Sequence, residues 1–92
     1  MQVNLYATFR LHAGIKNFAI DLPAGTNVQQ AVLEIVRRYP VLQKDWLDET
    51  GELHAHVHIF VDGNEVNTLP DRLETQLGTE TVLDFFPPVA GG

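Results

Sequence analysis

The stretch TNVQQAVLEIVRRYP, residues 26–40, decides the fold, because it is a single amphipathic helix set between strand-like runs. Val28, Ala31, Val32, Ile35, Val36 and Tyr39 recur at i, i+3, i+4, i+7, i+8 and i+11. That spacing predicts a helix over 27–39 with one apolar stripe. Thr26 is placed to cap it, and Gln29 three residues on completes a capping box. Arg37 and Arg38 fall in the last turn, where cations complement the helix dipole, and Pro40 ends the run.

On the N-terminal side, Val3, Leu5, Ala7, Phe9 and Leu11 alternate with Asn4, Tyr6, Thr8 and Arg10. A period of two predicts a half-buried strand over 3–11. HAGIK (12–16) reads as a Gly-containing turn, and Phe18, Ile20 and Leu22 continue as a second strand, so the pair reads as a hairpin. On the C-terminal side, Val41, Leu42, Trp46 and Leu47 are expected to plug one end of the core. LHAHVHIFV (53–61) alternates again, with Leu53, Ala55, Val57, Ile59 and Val61 on one face and His54, His56, His58 and Phe60 on the other. Asp62-Gly63 signals a tight turn into a short strand at 65–67. TVLDFF (81–86) closes the set, with Leu83 and Phe85 facing the core and Phe60 and Phe86 facing away. One main helix crossing a mixed sheet of four to five strands is an α+β arrangement, with a domain over 1–86 and a flexible tail over 87–92.

Composition removes several chemistries. The 92 residues contain no Cys and no Ser, so thiolate metal sites, Cys nucleophiles and Ser-centred acyl transfer are excluded. Six basic against twelve acidic residues give a net charge of −6, which disfavours nucleic acid and anionic membrane surfaces as partners. Nothing reads as a bilayer span or a secretory signal, and a cytoplasmic protein is the expectation. His54, His56 and His58, about 7 Å apart along one strand face, are spaced too loosely for a zinc site without a further ligand, so no metal is expected. The pairs Asp48/Glu49 and Asp71/Glu74 flank turns and read as solvated surface.

The last six residues, Pro87-Pro88-Val89-Ala90-Gly91-Gly92, carry no charge, hydroxyl or amide side chain. Two prolines stiffen the exit from the final strand, and two glycines let backbone approach backbone closely. This composition suits a segment that threads a narrow channel in another protein and presents the Gly92 carboxylate as its one reactive group. An inert, frayed end is the alternative.

The strand–helix order and the FFPPVAGG run resemble the ubiquitin-like sulfur carrier proteins of the MoaD/ThiS family, a β-grasp fold, across essentially the whole chain. HIFVDGNEV (58–66) also resembles a strand–turn unit of carriers that serve cysteine biosynthesis. The resemblance implies a carrier, not an enzyme. A ubiquitin-activating-type enzyme would adenylate Gly92 using ATP, and sulfur would replace AMP to leave a thiocarboxylate. That sulfur would pass to a sulfur-accepting synthase or its partner subunit, in molybdopterin, thiamin, cysteine or tRNA-thiolation chemistry. A role as small subunit of a molybdopterin-synthase-like complex belongs to the same implication. Pro87, Pro88, Val89, Ala90 and Gly91 would be recognised as the tail, and no cofactor would be bound by the chain itself. Phe60, His58 and Phe86 on the uncovered sheet face would meet the partner, with edge burial or a homodimer as the alternative. Conjugation through Gly92 to lysines of target proteins is a second use that starts with the same activation step.

Overall fold

The N-terminal alternation holds as a strand only as far as Leu5. In the computed structural model, which describes residues 1–88, β1 covers Gln2–Leu5 and a helix, α1 (Ala7–Ala13), follows at once. The expected strand over 3–11 is therefore corrected from Tyr6 onward. Ala7 takes φ 51, which turns the chain off the strand path. Phe9 then packs edge-on to Trp46 at 5.7 Å, and Ala13, one turn later, also lies against the core. Leu11, which alternation would bury, is 73% exposed. Gly14 ends α1 in the left-handed region (φ 75), its N–H donating to the Arg10 carbonyl at 2.9 Å. β1 does pair antiparallel with β2 (Asn17–Ala19), but α1 occupies the connection where continued strand and then a Gly-containing turn over 12–16 were expected.

The main helix, α2 (Val28–Arg38), buries Val28, Ala31, Val32, Ile35 and Val36 as its spacing predicts. Its cap sits one residue later than expected. Asn27 Oδ1 accepts the Gln30 N–H at 2.8 Å, and Gln30 Oε1 accepts the Asn27 N–H at 2.9 Å. The Thr26 hydroxyl instead donates to the Pro23 carbonyl at 2.6 Å, closing the preceding turn. After Pro40, a 3-10 turn (Pro40–Leu42) and a short helix, α3 (Gln43–Trp46), place Leu42 and Trp46 fully inside. Leu47 is partly buried, whereas Val41 points to solvent.

The run over 53–61 is a strand only in its last four residues, β3 (His58–Val61). The chain bends before it, with the Val57 N–H donating back to the His54 carbonyl at 3.2 Å and the His54 N–H bonded to the Trp46 carbonyl at 2.8 Å. Asp62 and Gly63, at φ 49 and 85, make the two-residue turn into β4 (Asn64–Glu65). Positive φ at both central positions matches the right-handed twist of the flanking strands. Val66 leaves the ladder for a 3-10 turn (Val66–Thr68), so the short strand lies slightly earlier than predicted. β5 (Val82–Phe86) completes the sheet.

Strand order is β2-β1-β5-β3-β4, with β1 and β5 parallel and every other pair antiparallel. This is the α+β architecture of one main helix against a five-stranded mixed sheet. One face of the sheet contributes Val3, Leu5, Ile59, Val61, Leu83 and Phe85 to the same apolar cluster as the α2 stripe. Among the described residues, no helix covers the other face. Among the described residues, no helix is long and apolar enough to cross a membrane.

Candidate functional site

The uncovered face is assembled by register. Asn4 pairs with Asp84 across the parallel β1–β5 ladder, and Asp84 pairs with Phe60 across β5–β3. One row further along, Phe86 pairs with His58. Since side chains two apart on a strand share a face, Asp84 and Phe86 emerge together beside His58 and Phe60. Tyr6, just past β1, lays its ring flat on Phe86, with centroids 4.1 Å apart and planes within 10°. Phe60 stands nearly perpendicular to Phe86 at 5.5 Å and 81°. Three aromatic rings thus gather at the point where β5 runs into Pro87 and Pro88.

A polar network holds this group in place. Asp84 Oδ1 accepts the Asn4 amide at 2.8 Å and the Tyr6 hydroxyl at 3.2 Å, and Asn4 Oδ1 accepts from Gln2 Nε2 at 3.2 Å. Desolvation, and then the adjacent Asp84 charge, push the Tyr6 phenol above its usual range. Tyr6 therefore stays a neutral donor to Asp84. His58, Phe60, Gly63, Asp84, Phe86 and Pro87 line an open hollow of about 470 Å³ on this face.

Sequence reading placed Phe60, His58 and Phe86 on the uncovered face, and the structure brings all three to this hollow. Pro87 lines it and Pro88 follows, exposed; Val89, Ala90, Gly91 and Gly92 lie outside the described residues. Tyr6 and Asp84 were missed as site residues. Asp84 could have been found, because it shares the β5 period with Phe86. Tyr6 could not, since its place over Phe86 depends on the parallel β1–β5 register.

The three histidines do not share a strand face. His58 is on β3, while His54 and His56 stack on each other before it, with ring centroids at 4.7 Å. Among the described residues, no three His, Asp or Glu side chains gather as a metal-binding group. A larger hollow of about 910 Å³ lies elsewhere, lined by residues that include Lys44, Asp48, Glu49 and His54. Its Asp48 is already engaged: Oδ1 accepts the Thr50 hydroxyl at 2.6 Å and the N–H groups of Thr50 and Glu52 at 2.8 and 3.0 Å. Those bonds, the Thr50 hydroxyl first, hold its carboxyl below the usual range. Size alone does not make that hollow the site; the smaller one adjoins the tail and carries the aromatic cluster.

Comparison with known proteins agrees with the architecture. Residues 3–92 match the ThiS family. Small archaeal modifier proteins 1 and 3 of Haloferax volcanii are 30% and 32% identical over 92 residues, covering all of this chain and 100% and 98% of theirs. The crystal structure of the first superposes with a TM-score of 0.89, covering 99% of this chain and 97% of that one, at 25% identity over the superposed residues. A Pyrococcus furiosus protein described as subunit 1 of molybdopterin converting factor gives 0.74 at 30% identity, covering 96% of this chain and 95% of that one. The fold is the ubiquitin-like β-grasp, and the small ubiquitin-like proteins of the ThiS/MoaD type are carriers rather than catalysts. The chain belongs to the ThiS family.

Proposed function

We propose that this protein is a sulfur carrier whose Gly92 carboxylate is adenylated by a ubiquitin-activating-type enzyme and then converted to a thiocarboxylate. The observation that carries the reading is the sequence Pro87-Pro88-Val89-Ala90-Gly91-Gly92, whose first residue, Pro87, follows β5 and lines the hollow on the aromatic face. A carboxylate is a poor electrophile, so ATP first turns it into an acyl-adenylate, releasing pyrophosphate. The terminal sulfur of a persulfide donor attacks that carbonyl and expels AMP. A thiol then reduces the donor's S–S bond and leaves the sulfur on Gly92 as the thiocarboxylate. The carrier supplies no base, nucleophile or metal ligand to these steps, in keeping with its lack of Cys and Ser. Phe60, His58 and Phe86 dock the activating enzyme and the sulfur-accepting partner, and Pro87 to Gly91 enter its channel. Similarity to a molybdopterin converting factor subunit supports a molybdopterin-type acceptor.

A second reading has its own support. Two full-length relatives are named as modifier proteins, so conjugation through Gly92 to target lysines is the competing use. Mass spectrometry of the protein made alongside its cognate activating enzyme separates the two. An oxygen-to-sulfur mass increase on the intact chain is the expected result. Ladders on other proteins without that increase favour the modifier, and neither change overturns both readings. Deleting Gly91 and Gly92 should abolish adenylate formation and leave the thermal midpoint unchanged. Adenylation that survives the deletion removes Gly92 from its role.

A further inference from the structure

We propose that the hollow on the open sheet face is a cradle for an arginine side chain projecting from the partner protein. The inference rests on the reading that this face docks a partner, and it adds the chemistry that is recognised there. Asp84 has two carboxylate oxygens, and Asn4 and Tyr6 both donate to Oδ1. Among the described residues no donor reaches Oδ2, and Asp84 forms part of the hollow's wall. The remaining wall is the His58 imidazole together with Phe60, Gly63, Phe86 and Pro87. Among the described residues, no Lys or Arg lines it. The chain as a whole carries twelve acidic against six basic residues, so its field draws in a cation and not an anion.

A planar guanidinium fits this combination better than an ammonium. It can lie against an aromatic ring and offer N–H groups to one carboxylate in the same pose, whereas a lysine head is a compact, strongly hydrated charge. The Tyr6–Phe86 stack and the perpendicular Phe60 fix the ring positions, so little ordering is left for binding to impose. Asn4 and Tyr6 likewise hold the Asp84 carboxyl group through Oδ1, and among the described residues Oδ2 is left without a donor.

The test is an amide-resonance titration of the isolated chain with N-acetylarginine amide, with N-acetyllysine amide and N-acetylnorvaline amide as controls. Saturable shifts centred on Phe60, Asp84 and Phe86, clearly tighter for arginine than for either control, are expected. Asp84→Asn keeps an oxygen for Asn4 and Tyr6 but replaces the free one with an NH₂ group, so the fold should hold. It should weaken the arginine probe about tenfold, the loss expected for a charge-assisted bond. Phe60→Leu keeps the face apolar but removes a ring, and it should weaken arginine while leaving norvaline unchanged. Equal binding of all three probes, shifts scattered over the acidic surface, or full binding by Asp84→Asn overturns the cradle. Deleting Gly91 and Gly92 should not alter the titration. A chain that binds the arginine probe but is never adenylated keeps the cradle and loses the carrier reading; the reverse outcome loses only the cradle.

Discussion

Phe85 and Phe86 are adjacent on β5 and chemically identical, yet they serve opposite faces of the sheet. Phe85 is fully buried and stacks on Trp46 with centroids 4.3 Å apart, inside the cluster that also holds the α2 stripe. Phe86 is half-buried and stacks on Tyr6 at 4.1 Å, on the face that no helix of the described residues covers. The stacking geometry is nearly the same on both sides. What differs is the covering: one ring is enclosed by the fold, while the other is left partly in water. Aromatic content therefore does not distinguish core from open face here; the parity of the strand position does.

The sharpest way to break this contrast is to truncate both rings. Phe85→Ala should destabilise by about 3–5 kcal/mol, the usual range for deleting a buried aromatic. Chemical denaturation would measure it, and a loss below that of Phe86→Ala would invert the assignment of faces. Ile35→Ala, at the centre of the α2 stripe, comes next, at about 2–5 kcal/mol. Ile35, Leu5, Ile59 and Leu83 share one cluster, each essentially inaccessible to water. A near-neutral result would mean the helix does not seal the sheet.

The periodic parts of the fold were readable because each face answers to a simple spacing. The α2 stripe and the 2-period of β5 both predicted burial residue by residue. Misreading occurred where two periods coincide over a short span. Val3, Leu5, Phe9 and Leu11 satisfy alternation, but Phe9 and Ala13 also satisfy i, i+4, and contact with Trp46 decided for the helix. The same limit applies to 53–61, where alternating types conceal a bend at 54–57 that depends on a bond to Trp46. At the open face, Phe60 and Phe86 were readable from parity alone. Asp84 shares the β5 parity with Phe86 and was equally open to reading, whereas Tyr6 was not, because a parallel pairing between the first and last strands leaves no local trace in the chain.

A smaller stability effect, with a functional readout, is expected at Phe86→Glu. The fold should survive, because the ring fills no part of the core. Losing its stack with Tyr6 should cost about 0.5–1.5 kcal/mol of stability. Capture by the activating enzyme should weaken by at least about 1–2 kcal/mol, since buried aromatic anchors dominate interface energetics. Binding titrations with circular dichroism as the folding control would decide it. Wild-type affinity in a folded variant would make the face ordinary surface.

The smallest effect is on the solvent side of α2, where the contrast between enclosed and open surface reaches its limit. Glu34 receives the Arg37 guanidinium through Nε at 3.0 Å and Nη2 at 2.5 Å, with Arg38 at 3.9 Å. Hydrogen bonding from Arg37 holds the Glu34 carboxyl below its ordinary value of 4.5, and the Arg37 and Arg38 charges add to this. A depressed folded-state pKa means the native state prefers the ionised form. Its contribution is therefore complete above the unfolded value and fades as pH falls through the lowered one. Water screens an exposed pair of this kind, so the dependence should be slight and should shrink further in salt. Glu34→Gln should accordingly match wild-type stability closely at neutral pH and converge with it on acidification below pH 4.5. Denaturation midpoints of both proteins across that range, at low and high salt, would measure it. A gap that widens as pH falls would show that Glu34 is stabilised in its protonated form, and that the guanidinium of Arg37 does not govern it.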